Sequence, residues 1–183
     1  MFTGIIEEVG VIREILTNLD GLEIEIDASL VLSDLKVNDS ISCSGICLTV
    51  TKLERKSFKV QLVQETLNKT NAKNWVPGYS INLERALLPT SRMGGHIVQG
   101  HIDTVVKIKD MTFDDKSAVW RFELKNDIKR YLVKKGSICL DGISLTIADK
   151  TETDFSVALI PHTLEVTSWS NKKINDTINV EVD

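Results

Sequence analysis

Two short phrases hold the side chains best suited to chemistry, Gly45-Ile46-Cys47-Leu48-Thr49 and Gly142-Ile143-Ser144-Leu145-Thr146. On an extended strand alternate residues share a face, so Cys47 stands with Thr49 and Ser144 with Thr146. Ile46 and Leu48, or Ile143 and Leu145, then turn toward a core. Each phrase so offers a small thiol or hydroxyl beside a threonine hydroxyl, a floor on which a flat ligand can lie. Cysteine and threonine are also ordinary strand residues, and the recurrence fits either a paired ligand floor or a shared folding requirement. The histidines are His96, His101 and His162. Imidazole moves protons near neutral pH. His96 and His101 lie in the glycine-rich run Gly94-Gly95-His96-Ile97-Val98-Gln99-Gly100-His101-Ile102, a composition that also suits a surface loop. Cys43, Cys47, His96 and His101 lack the spacing of a zinc site, so no metal is expected. No phosphate loop, dinucleotide fingerprint or serine elbow accompanies them.

The elements that position these residues are written twice. The stretch 40–50 lies over 137–147, 58–67 over 155–164 and 80–84 over 177–181, all at one offset. A module repeated once at this length predicts two domains of about 90 residues, each with its own core. The boundaries fall at 1–97 and 98–183, with 87–99, which contains Pro89, Gly94 and Gly95, as the connector. Period-two alternation dominates: Leu22, Ile24 and Ile26 share a face, as do Phe58, Val60 and Leu62. Trp120, Phe122 and Leu124 follow suit in the second copy, as do Phe155, Val157 and Leu159. Such half-buried strands predict an antiparallel sheet, and a small domain hides its edges by closing it into a barrel. Short helices are expected over 29–36, around 127–134, and opening at Thr66 and Thr163. Those two threonines either cap their turns or touch a ligand.

A net charge of −4 argues against nucleic acid or an anionic membrane as partner. Glu7 and Glu8 stand where a secretion signal needs an apolar core, and no apolar run approaches the roughly 20 residues of a membrane span. Three cysteines cannot all pair within the chain. The expectation is a soluble, reduced, cytoplasmic protein.

Met1-Phe2-Thr3-Gly4-Ile5-Ile6, the cysteine phrase, Gly94-Gly95-His96 through Gly100-His101-Ile102, and Asp141-Gly142-Ile143-Ser144-Leu145-Thr146 closely resemble the riboflavin synthase family. The resemblance runs from the first residue to the last. It implies an all-β chain of two tandem six-stranded Greek-key barrels with short helices, each barrel binding one lumazine. It implies a transferase that needs no cofactor: a four-carbon unit passes between two molecules of 6,7-dimethyl-8-ribityllumazine, giving riboflavin and 5-amino-6-ribitylamino-uracil. By the same resemblance Gly4, Ile5, Ile6, Ser40, Cys47, Thr49 and Thr66 line the first pocket. His101, Lys135, Ser144, Thr146, Ile160 and Thr163 line the second. Leu48, Gly100, Ile102 and Leu145 join the binding set, and Phe2 closes the site. His101 is the implied proton carrier, with Ser144, Thr146 and Cys47 stabilising the adduct. The family assembles as a homotrimer, its site lying between the first barrel of one subunit and the second barrel of its neighbour. Its members continue past the position of Asp183 into a helix through which the subunits pack. This sequence ends at Asp183, so the expected association rests on barrel surfaces alone. The alternative reading is a non-catalytic lumazine- or flavin-binding protein of the antenna type. The joint presence of Cys47, His96, His101 and Ser144 favours the enzyme.

Overall fold

A computed structural model describes residues 1–18, 21–114 and 117–183. Six strands form the first closed barrel: β1 (Glu8–Asn18), β2 (Gly21–Asp27), β3 (Ser40–Cys43), β4 (Ile46–Leu53), β5 (Ser57–Val63) and β6 (Ser80–Arg85). Around it they run β1-β2-β5-β4-β3-β6, every pair antiparallel. The second barrel uses β7 (Thr104–Asp114), β8 (Ser117–Glu123), β9 (Ser137–Leu140), β10 (Ile143–Lys150), β11 (Asp154–Leu159) and β12 (Thr177–Val182). It repeats the same order. The expected fold class is therefore the observed one. Each long strand needs a sharp bend to close so small a barrel, and a register shift supplies it. These shifts fall at Ile12/Glu14 and Val50/Lys52 in one barrel, and at Ile108/Asp110 and Ile147/Asp149 in the other.

The alternating positions fill the two cores as their spacing predicts. Ile24, Ile26, Phe58, Val60 and Leu62 are fully buried in the first, and Trp120, Phe122, Phe155, Val157 and Leu159 in the second. The second core is the more aromatic, with Trp120 stacked on Trp169 at 4.8 Å and Phe122 on Phe155 at 5.3 Å.

The helical expectations need correction. Only a short 3-10 turn, Val31–Ser33, forms within 29–36, and 127–134 holds turns without a helix. The two short α-helices are α1 (Gln64–Lys69) and α2 (Pro161–Glu165), which start before Thr66 and Thr163. Neither threonine caps a helix; each is already inside one. Pro161 sets the entry to α2, since its fixed φ and missing N–H suit the first helical position. The capping threonines lie four residues later. Thr70 and Thr167 accept from Ala72 N and Trp169 N to open the 3-10 turns Asn71–Asn74 and Ser168–Asn171. Their hydroxyls meanwhile donate to the carbonyls of Thr66 and Thr163, each at 2.7 Å.

The barrels meet around an approximate twofold axis. Gly45 and Gly142 pack back to back, and a Cβ on either would lie 2.8 Å from the other's nitrogen. Asn82 and Asn179, both fully buried, bridge the barrels reciprocally. Asn82 donates to the Asp141 carbonyl (2.9 Å) and accepts from Ser168 N (2.7 Å). Asn179 donates to the Ser44 carbonyl (3.0 Å) and accepts from Asn71 N (2.8 Å). One ion pair breaks the symmetry: Asp141 lies 3.2 Å from Lys172, whose ammonium also donates to Tyr79 OH at 2.7 Å. Burial opposes the charge on Lys172, but Asp141 and Tyr79 outweigh it, and the pKa is raised.

Asn82→Ala strands a buried carbonyl and a buried N–H. The expected cost is about 2–4 kcal/mol in urea unfolding. An unchanged midpoint would show that water or rearrangement replaces both bonds.

Candidate active site

Before each barrel begins, the chain crosses to the other one. Residues 2–6 and 98–102 pair around the axis through Phe2 and Val98, with Phe2 N donating to Val98 O (2.7 Å) and Val98 N to Phe2 O (3.0 Å). Past that bridge the first segment runs onto β10, where Ser144 N donates to Gly4 O at 2.7 Å. The second runs onto β4, where Cys47 N donates to Gly100 O at 2.9 Å. Both contacts need glycine. A Cβ on Gly4 would stand 2.5 Å from Cβ of Ser144, and one on Gly100 the same distance from Cβ of Cys47; both glycines have positive φ. Ile6 accordingly packs on the second core and Ile102 on the first. Each segment therefore lies against the barrel of the other copy. Gly4 lies against Ser144 with Ile6 on the second core, and Gly100 against Cys47 with Ile102 on the first.

Each crossing segment is tied down by a carboxylate. Glu84 on β6 accepts from Thr3 N and Thr3 Oγ1, both at 2.6 Å, and from Gly4 N at 2.9 Å. Glu181 on β12 accepts from Gln99 N (2.6 Å), Gly100 N (2.8 Å) and His101 N (3.0 Å). Burial raises the Glu84 pKa, and the bonds from Thr3 and Gly4 pull against that rise. Neither residue was among the sequence candidates. The signal is a carboxylate at matched positions near the ends of β6 and β12, in the phrases Ser80-Ile81-Asn82-Leu83-Glu84 and Thr177-Ile178-Asn179-Val180-Glu181.

The connector adds a third layer over the second floor. His96 N donates to Thr3 O (3.1 Å), which sets the ring against β10, with Nδ1 2.7 Å from Ser144 Oγ. The direction of that bond follows the ring's tautomer. Burial lowers the His96 pKa, against the opposing charges of Asp183 and Glu181. The half-buried imidazole is thus kept neutral, able to take a proton while hydrogen-bonded to a hydroxyl. His101 is exposed and is held through its main chain, next to Gly100 and hence near Cys47.

Other expected residues divide clearly. Cys47 and Ser144 are partly exposed and Thr49 and Thr146 exposed, in the alternation the phrases require, while Leu145 is only partly buried against the second core. Ser40 pairs with Thr49 across β3 and β4 and is partly open. Thr66 and Thr163 are half-buried in their helices; Ile5, Lys135 and Ile160 are exposed. The Leu48 side chain is buried in the first core. Phe2, expected to close the site, has its ring fully buried with Val98 and Cys139, with Cys47 packed against them. It is the structural base of the crossing. Cys43 is buried in the first core, which pushes its thiol far above the usual range and leaves it inert. Among the described residues no three His, Cys, Asp or Glu side chains converge to hold a metal ion.

A pair of closed Greek-key-ordered barrels, each with main chain of the other copy laid across its small-residue strand, defines a duplicated two-barrel protein. The lumazine-binding domain model matches residues 3–86 and 99–183. The chain is 41% identical to riboflavin synthase of Actinobacillus pleuropneumoniae over its whole length, covering 85% of that protein. It is 40% identical to riboflavin synthase of Bacillus subtilis (strain 168), again over the whole chain and 85% of the relative. The fold superposes on that of LumP in complex with riboflavin, with a TM-score of 0.92 at 20% identity, covering all of both chains. The chain belongs to the riboflavin synthase family, a family of enzymes built from two lumazine-binding domains.

The His96 shift has a measurable sign. Its folded-state pKa lies below the unfolded value of about 6.5. The stability it contributes is therefore complete above that value and is lost as pH falls through the folded-state pKa. Ring-proton NMR should give His96 a midpoint below about 6.5. A midpoint above it would mean that Asp183 and Glu181 outweigh burial.

Proposed function

We propose that the protein is a riboflavin synthase, converting two molecules of 6,7-dimethyl-8-ribityllumazine into riboflavin and 5-amino-6-ribitylamino-uracil. What carries this reading is the repeated floor: Cys47 and Thr49 on one barrel, Ser144 and Thr146 on the other, each roofed by the opposite copy. A reaction between two identical molecules needs two similar sites, and holding both rings in place removes much of the entropic barrier of a bimolecular step. The methyl group on C7 of the lumazine is acidic because its anion spreads into the heterocycle. A neutral imidazole suffices to start the reaction.

Two imidazoles are candidates, one per floor: His96 on Ser144 and His101 beside the Cys47 floor. His101 stays the proposed proton carrier, since its ring is free to meet a ligand. His96 and the Ser144 hydroxyl act together on the second lumazine, and Thr146 and Cys47 stabilise the adduct. The productive site joins the first barrel of one chain to the second barrel of another, in a homotrimer. Cys43, Cys47 and Cys139 are all free thiols, which fits a reducing cytoplasm.

The decisive assay supplies 6,7-dimethyl-8-ribityllumazine and follows riboflavin and the pyrimidine in equal amounts. Tight lumazine binding without turnover would establish the antenna-type alternative instead. His101→Gln should retain binding and lower turnover by roughly two orders of magnitude; near-normal turnover would remove His101 from the proton path. Cys47→Ala should be clearly slower than Cys47→Ser if the heteroatom takes part, and equal near-native rates would make Cys47 a wall. In a shared site, specific activity should fall on dilution before lumazine binding does. Constant activity in a sample sedimenting as monomer would refute that arrangement.

A further inference from the structure

We propose that Glu84 and Glu181 are positioning residues that act crosswise, each shaping the ligand site on the barrel to which it does not belong. This rests on the reading of the two floors as lumazine sites. Glu84 is a β6 residue paired in register with Ser42 of the first barrel. Its carboxylate nevertheless spends its three bonds on Thr3 and Gly4, and Gly4 O is the acceptor for Ser144 N on the second barrel. Glu181 of the second barrel repeats the arrangement: it is paired with Cys139, it holds Gln99, Gly100 and His101, and Gly100 O accepts from Cys47 N on the first barrel.

The physics favours this placement over a purely structural one. A carboxylate offers acceptors only, so it matches a turn of main chain whose N–H groups all point one way. The donors are consecutive, Thr3 with Gly4 and Gln99 with Gly100 and His101, so each carboxylate fixes the direction of the next carbonyl. That carbonyl sets the roof height over the floor, and little slack remains, because a Cβ on Gly4 or Gly100 would already stand 2.5 Å from Cβ of Ser144 or Cys47. Loosening one clamp therefore lifts the roof of the opposite floor. Glutamine cannot replace the carboxylate, because its NH2 end would face N–H donors.

The test uses Glu84→Gln and Glu181→Gln in the full chain, with riboflavin as the probe and the amide resonances of Cys47 and Ser144 as reporters of the two floors. Glu84→Gln should weaken the affinity read at Ser144 by about tenfold, the loss of a charge-assisted bond, and leave that read at Cys47 within about twofold. Glu181→Gln should do the reverse. Weakening at the variant's own barrel, or equally at both, would overturn the crosswise assignment. Thr3→Val removes one donor and leaves Glu84 in place, with Thr3→Ser as the restoring variant. It should reproduce the Ser144 effect in a smaller degree if Glu84→Gln does not fold, and no effect at Ser144 would count against the proposal. Hydrogen exchange in the absence of any ligand separates the two ideas. Faster exchange at the Ser144 amide in Glu84→Gln upholds the clamp even if riboflavin shifts neither resonance in the parent protein, which would instead defeat the reading of the floors.

Discussion

The structure depends on one close approach, Gly45 against Gly142. Two closed barrels have no free sheet edges to join, so they can associate only through loops and outward side chains. Any side chain at either glycine would push the backbones apart, since its Cβ would already lie 2.8 Å from the facing nitrogen. With both bare, the β3–β4 and β9–β10 turns touch, and everything near the axis falls within hydrogen-bonding reach. The Asn82 and Asn179 amides, each using both ends, then satisfy backbone groups that this contact removes from water. A polar seam of this kind adds little net stability per bond, but it penalises every other docking angle, because misplacement leaves buried groups unpaired.

The same approach explains why the floors are built from both copies. With the turns in contact, the segments entering β1 and β7 have no room on their own side of the axis. They pair with each other at Phe2 and Val98 and emerge on the far side, over β10 and β4. The main chain over each floor is therefore supplied by the opposite copy. This is a tertiary reason for keeping the duplicated modules in one chain.

Much of this was legible in the sequence, and the boundary of legibility is physical. Alternation at Phe58, Val60 and Leu62, or Phe155, Val157 and Leu159, reports which face of a strand is dry, and the repeat makes the same statement twice. Cys47, Thr49, Ser144 and Thr146 follow from that parity. Parity says nothing about what lies opposite a floor, so that Gly4 lies against Ser144 and Gly100 against Cys47 is visible only in the folded chain. Nor does it say that the Phe2 ring is buried under the crossing with Val98 and Cys139. Thr66 and Thr163 misled because a threonine opening a turn resembles a cap, whereas Pro161 and the strand ends start the helices earlier. Glu84 and Glu181 escaped notice because acidic residues at strand ends usually face water. Their burial comes from a segment nearly a whole domain away in sequence.

Duplication gives two like floors, but the connector between copies exists once. It delivers His96 to Ser144, and the Cys47 floor receives no equivalent ring from it. Two identical molecules that must become donor and acceptor of a four-carbon unit need some asymmetry imposed from outside, since neither carries it. His96 is hydrogen-bonded to the Ser144 hydroxyl on one floor, whereas the exposed His101 beside the other is held only through its main chain, so like floors differ in how they can handle a proton. In the proposed reaction the fold provides the pairing of the substrates, and the linker provides the distinction between them.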